Sequence, residues 1–283
     1  KYLRLIPKLD IKGNNLVKGI HLEGLRVLGD PSKFAEYYAE NGADEIIYND
    51  VVASLYGRNN ILDLISKTAS NCSIPITVCG GIRNIDDIKK TLKSGADKIA
   101  INTAAIENIN FIESAVKIFG SSTIVINIEA SFYEGSFRVF TNNGRERTPF
   151  EVKEWLNIIQ DKGAGEVMLT SIDNEGTGNG FNIRLIENIY DSIRIPLILH
   201  GGARDSQDII DVKKRFDNIE AFGLSSILHY NFIRDRQNEN NHIVIGNTSF
   251  LKSNKKFKNF GEYTIKKIKN DLIKNNIYTR HRW

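Results

Sequence analysis

The chain alternates between two kinds of pattern. Short apolar runs lie near Leu3–Leu9, Glu45–Asp50, Ile76–Cys79, Lys98–Asn102, Ile124–Glu129, Glu166–Ile172, Leu197–His200 and Ile219–Leu224. Between them sit amphipathic stretches at Pro31–Asn41, Asn60–Ser70, Ile85–Ser94, Asn108–Phe119, Pro149–Lys162, Asn182–Tyr190 and Asp205–Phe216. Runs of four to eight apolar residues read as buried strands, and the longer periodic segments as helices. Gly95, Gly120 and Gly163 stand where helices should end. Strands that alternate with helices predict a parallel sheet, and eight such units predict a (β/α)8 barrel.

An open doubly wound sheet is the rival, and an internal repeat weighs against it. IPITVCGGIRNIDDI (Ile74 to Ile88) returns as IPLILHGGARDSQDI (Ile195 to Ile209), and ADEIIYND (Ala43 to Asp50) as AGEVMLTSID (Ala164 to Asp173), each displaced by 121 residues. Two half-chains on one plan read as two half-barrels of a closed α/β TIM barrel, a single domain over residues 1–283. The rhythm breaks twice. Residues 131–145 include SFYEGSFRVFTNNG, which alternates around Glu134-Gly135 and predicts a hairpin inserted over the barrel mouth. Asn231 to Phe260 is polar and reads as a long loop before a closing helix at Glu262–Lys274, with Ile265, Ile268 and Leu272 on one side.

Composition changes this picture little. At 41% hydrophobic and 25% charged, the 283-residue chain is of ordinary globular type. It has no apolar run long enough to span a bilayer, and its start lacks the apolar core of a signal peptide. Cys72 and Cys79 make no disulfide framework, so a cytoplasmic protein is expected. Five scattered histidines lack metal-ligand spacing, and GTGNG (Gly176 to Gly180) lacks the GxGxxG spacing of a dinucleotide loop. Neither metal nor cofactor is expected. Ten Lys/Arg face two acids from Lys252 to Trp283, which suits a solvated helix face or an acidic partner. No interleaving of aromatic and basic residues points to nucleic acid.

In a barrel of this kind the carboxyl ends of the strands face the active site. Asp10 ends the first strand and Glu129 the fifth, on opposite sides of the mouth, which suits paired acid and base work. Asp50 and Asp173 close other strands as secondary polar groups. Gly80-Gly81 and Gly201-Gly202 offer bare backbone N–H groups after strands three and seven. Asn102-Thr103 and Ser225-Ser226 follow strands four and eight. The duplication therefore predicts two phosphate sites and a substrate phosphorylated at each end. At the opposite face, Arg4, Glu45, Lys98 and Glu166 each open a strand. They predict a charged ring, either a stabilising plug or a gate for a small neutral molecule.

These residues carry a resemblance. RLIPKLDIKGNNLVKGIHLEGLRVLGDP, ADEIIYNDVVAS, GADKIAINTAA, GSFRVFTNNG and GAGEVMLTSIDNEGTGNGFN resemble the HisF family, the cyclase subunit of imidazole glycerol phosphate synthase, from Leu3 to Tyr230 and again in the last helix. The resemblance implies a HisH-like glutaminase partner in a heterodimer, releasing ammonia at the barrel bottom. The ammonia would pass through the core and attack the ketone of a bis-phosphorylated intermediate (PRFAR), giving imidazole glycerol phosphate and AICAR. It implies a catalytic role for Asp10, with Glu129 at the second catalytic position. Substrate or phosphate contacts are implied for Lys18, Gly81, Asn102, Thr103, Gly176, Gly202 and Ser226, with Thr170 and Gly201 in the same set. Arg4, Glu45, Lys98 and Glu166 match the ammonia gate.

Departures cluster at the mouth. Glu129 stands where the family has aspartate, Lys8 where it has a small residue, Glu175 where it has aspartate, and His200 where it has serine. They leave two alternatives: a branch that works with a sugar amidotransferase to install acetamidino groups on surface polysaccharide, and a non-catalytic scaffold that only activates the glutaminase.

Overall fold

A computed structural model describes residues 2–52, 59–236 and 260–280. Eight parallel strands close a barrel: β1 (Arg4–Lys12), β4 (Ile46–Asp50), β5 (Ile76–Cys79), β6 (Lys98–Ile101), β7 (Ile124–Tyr133), β10 (Glu166–Ser171), β11 (Leu197–His200) and β12 (Ala221–Leu224). They pair in that order around the ring, β7 with β10 and β12 back to β1, so no barrel edge is left open. The predicted fold is correct, and β1 and β7 lie four strands apart on opposite sides.

Alternation along each strand divides its side chains between two cores. Inward-facing residues form an apolar ring to which every barrel strand contributes one side chain, Ile6, Val125 and Met168 among them. The outward set, such as Leu5, Leu9 and Phe222, packs beneath the surrounding helices in the main core. At this level the bore is lined by apolar side chains, one from each of the eight strands.

The duplication extends to capping. Asn84 caps α3 (Ile85–Lys93) and Asp205 caps α8 (Ser206–Arg215), accepting from Asp87 N and Asp208 N respectively. Asp87 and Asp208 reach back to the N–H groups of Arg83 (2.9 Å) and Arg204 (2.8 Å). Each end thus satisfies two otherwise orphaned donors reciprocally.

Several elements differ from expectation. β1 continues past Asp10 into a hairpin with β2 (Asn15–Ile20) and β3 (Glu23–Gly29) that the apolar pattern does not announce. Its turn holds His21 and Leu22 at φ 53° and 63° without Gly or Asn, so it carries no turn signature. A second hairpin joins β7 to β8 (Ser136–Thr141), with Glu134 and Gly135 at φ 46° and 90°. A third strand, β9 (Glu146–Glu151), takes the start of the predicted helix at Pro149. Pro149 is tolerated there because, among the described residues, β9 is an edge strand paired only with β8. The helix itself, α6, runs Val152–Asp161. Asn231 does not begin a loop, because α9 runs Ser226–Arg236. Residues 237–259 of the predicted loop lie outside the described residues. The closing helix is Ile265–Lys274, and among the described residues no helix is long and apolar enough to cross a membrane.

Candidate active site

Asp10 and Glu129 both project into the bore above the apolar ring, and both are buried. Their surroundings are unlike. Asp10 Oδ1 meets Lys8 Nζ at 2.6 Å and accepts from Asn49 Nδ2 at 2.8 Å, while Lys18 Nζ stands 3.9 Å from Oδ2. Burial opposes the charge on Asp10, but Lys8, then Lys18, then Asn49 outweigh it and hold the carboxyl well below the ordinary range. Glu129 accepts from Gly144 N at 2.8 Å and more weakly from Asn127 Nδ2 at 3.5 Å. Burial pushes it up to about 7, against the pull of Lys8 and the Gly144 N–H, with the Asp10 charge adding to the rise. One carboxylate is therefore ionised beside one carboxyl poised near neutrality. Environments that drive two acids apart in this way are how a site acquires distinct acid and base roles.

Gly80 and Gly201 follow β5 and β11 at φ 93° and 103°. A Cβ on Gly80 would lie 2.2 Å from Asp50 O, and one on Gly202 2.1 Å from Gly180 O, so both turns require glycine. The two sides differ in openness. Gly80, Gly81, Asn102, Thr103 and Glu129 line a cavity of about 310 Å3. The cleft at Gly176, Gly201, Gly202, Ser225 and Ser226 holds only about 10 Å3, room for a single water. Asn102 Oδ1 is buried beside the larger cavity, without a partner among the described residues.

His200 fills part of the narrower side. Ser225 Oγ donates to Lys8 O at 2.8 Å, so at 3.2 Å it must accept from His200 Nε2. His200 Nδ1 is then free to accept the hydroxyl of Thr170 at 3.2 Å. Burial, followed by Lys8 and Lys18, keeps the ring neutral.

The β2–β3 hairpin closes over this half of the mouth. Lys18, on β2, pairs with Glu175, and both side chains are buried. Glu175 O accepts His21 N at 2.9 Å, and Asn143 Nδ2 donates to Leu22 O at 3.2 Å.

At the opposite end, Arg4, Glu45, Lys98 and Glu166 form one closed ring. Arg4 meets Glu45 at 2.7 Å and also bonds Glu166, while Lys98 meets them at 3.1 and 2.9 Å. Each acid has two cations and each cation two acids. Burial alone would raise Glu45, but Arg4 and Lys98 outweigh it and hold the carboxyl low.

Comparison with known proteins identifies the family. Residues 4–234 match the family model described as "Histidine biosynthesis protein". The imidazole glycerol phosphate synthase subunit HisF of Legionella pneumophila is 51% identical over 201 residues, 71% of this chain and 95% of the relative. That of Lactococcus lactis subsp. cremoris (strain MG1363) is 38% identical over 98% of this chain and 96% of its own length. The Bacillus cereus (strain G9842) subunit is 42% identical over 80% and 90%. The chain belongs to the HisF family.

Within this HisF barrel, most predicted positions converge. Glu129, Asp50, Gly81, Asn102 and Thr103 gather on one side of the mouth, Thr170, Gly176, Gly201, Gly202, Ser225 and Ser226 on the other, and Asp10 stands on β1 across the bore from Glu129. Asp173 does not join them. It is exposed and pins the hairpin, accepting from Ser131 Oγ at 2.5 Å and Phe132 N at 2.9 Å. Asn49, Asn127 and Gly144 are contacts that sequence reasoning missed. Asn49 and Asn127 were readable as polar residues two positions beyond the inward-facing Ile47 and Val125.

Proposed function

We propose that the chain is the ammonia-dependent cyclase subunit of an imidazole glycerol phosphate synthase, working with a glutaminase subunit. The observation that carries the reading is the unlike carboxyl pair on opposed strands beside the glycine-lined cavity. Ammonia adds to the ketone carbon of PRFAR. One proton of the added nitrogen passes to the ketone oxygen, and Glu129, as the protonated partner, supplies the second, with which that oxygen leaves as water. Asp10, as the anion, takes a proton from the added nitrogen. Ring closure then releases AICAR from imidazole glycerol phosphate. Backbone N–H groups at Gly81 and Gly202, with Asn102, Thr103 and Ser226, hold the two phosphates.

The ring of Arg4, Glu45, Lys98 and Glu166 gates ammonia from the glutaminase. Its support is the closed four-membered geometry at the amino-terminal mouth, side chains 6–19% exposed. A structural plug would account for stability but would leave the two ammonia sources equivalent.

Purified protein supplied with ammonium salt and PRFAR should form imidazole glycerol phosphate and AICAR, and absence of both products would remove the proposal. Asp10→Asn should abolish this turnover with the fold intact, whereas a scaffold would tolerate it. With the glutaminase present, Lys98→Ala should depress glutamine-driven turnover far more than ammonia-driven turnover. Equal losses would leave only the plug.

A further inference from the structure

Lys8 is a charge that the carboxyl pair does not by itself explain. A lysine is almost never fully buried unless it is paired, and Lys8 is 2% exposed. It rises from β1 between Ile6 of the apolar ring and Asp10. Its backbone is clamped from two directions, since Lys8 O accepts Ser225 Oγ at 2.8 Å and His229 Nε2 at 3.0 Å. His229, on α9, is itself held at Nδ1 by the Tyr38 hydroxyl at 2.7 Å. The ammonium is thus launched from a fixed point.

The groups around it can be counted by charge. Asp10 is in contact on the same strand, Lys18 stands across it from β2, and Glu175 pairs with Lys18 from the loop after β10. Glu129 from β7, Cys79 from β5, His200 from β11 and His229 from α9 all feel the ammonium. Burial and their neighbours keep His200 and His229 neutral, and burial pushes the Cys79 thiol up to about 12. Lys8 and Lys18 are then matched by Asp10 and Glu175. Among the described residues Glu129 has no ion pair of its own, and burial of a carboxyl so placed favours its protonated form.

We infer that Lys8 is a positioning residue of the carboxyl pair: its ammonium, fixed in the bore, completes a neutral set with Asp10, Lys18 and Glu175 and thereby fixes unlike roles for Asp10 and Glu129. The inference rests on the reading of those two acids as the reacting pair, but it can be tested without turnover. Carboxyl 13C NMR of protein labelled at Glu and Asp gives the titration of Glu129, assigned by the resonance lost in Glu129→Gln. Lys8→Met keeps the buried stem and removes the charge, and Lys8→Gln carries the same test should Met fail to fold.

The Glu129 midpoint should rise by roughly one pH unit or more in Lys8→Met and stay near wild type in Lys8→Arg. In the ammonia-driven assay the high-pH limb of kcat/KM should move upward with it. A Glu129 midpoint that is the same in Lys8→Met and wild type overturns the inference even if the variant is slow, because a structural lysine would cost rate without moving a titration. Lys8→Arg behaving like Lys8→Met would also overturn it, since shape would then matter rather than charge. A wild-type enzyme that makes no product, by contrast, fails the function and leaves the titration readable.

Discussion

Glu129→Gln should make the protein more stable at alkaline pH and inactive at every pH. The ordinary glutamate value is 4.5, and burial lifts Glu129 to about 7. The shift of about 2.5 units corresponds to roughly 3 kcal/mol at 1.36 kcal/mol per unit. The folded-state value is raised, so the unfolded chain releases this proton first. The native state therefore loses stability as pH climbs from the unfolded value through about 7, and the loss is complete above that. A glutamine carries no such penalty. Its carbonyl can keep the Gly144 N–H bond, and its amide can face Asn127 Oδ1, which is buried without a partner among the described residues.

The expected gain is about 3 kcal/mol at pH 8.5 and less than about 1 kcal/mol at pH 5. Urea unfolding of both proteins at both values measures it, because every other titration cancels in the comparison. In a thermal melt the alkaline gain should appear as roughly 5–10 °C. An equal gain at the two values, or a variant weaker at pH 8.5, would refute the account of Glu129 as a carboxyl held protonated at the expense of stability. Such a trade between stability and activity is common where a reacting group is buried.

Two further substitutions test the scaffold of the site. Gly202→Ala places a Cβ 2.1 Å from Gly180 O at φ 103°. It should cost about 2–4 kcal/mol in a melt and raise KM for the phosphorylated substrate, and an unshifted KM would separate this turn from phosphate binding. Tyr38→Phe strips the buried Nδ1 of His229 of its partner. The loss should be about 1–3 kcal/mol by urea unfolding, and an unchanged stability would mean that His229 does not depend on Tyr38 to hold Lys8 O.

The eight barrel strands were legible because each is a short apolar run bounded by a helix-length segment, and the 121-residue repeat argued for closure. The opposed positions of Asp10 and Glu129 followed from strand order alone. Less visible was the β2–β3 hairpin, whose turn at His21-Leu22 has positive φ without a glycine or asparagine to announce it. Its conformation is held by bonds to Glu175 and Asn143 across the mouth, contacts that no local window contains. For the same reason Asp173, a strand-end acid like Asp50, could not be told from a site residue until the hairpin was seen to claim it.

What the sequence by itself determined is the architecture and the inventory of groups at each end of the barrel, since period and spacing dictate which side chains share a face. Tertiary structure alone decided how those groups are charged. Burial, the reach of Lys8 to Asp10 and the pairing of Lys18 with Glu175 leave one acid ionised and the other poised near neutrality. Protonation depends on distances between residues up to 157 positions apart in the chain, and those distances exist only once the barrel has closed.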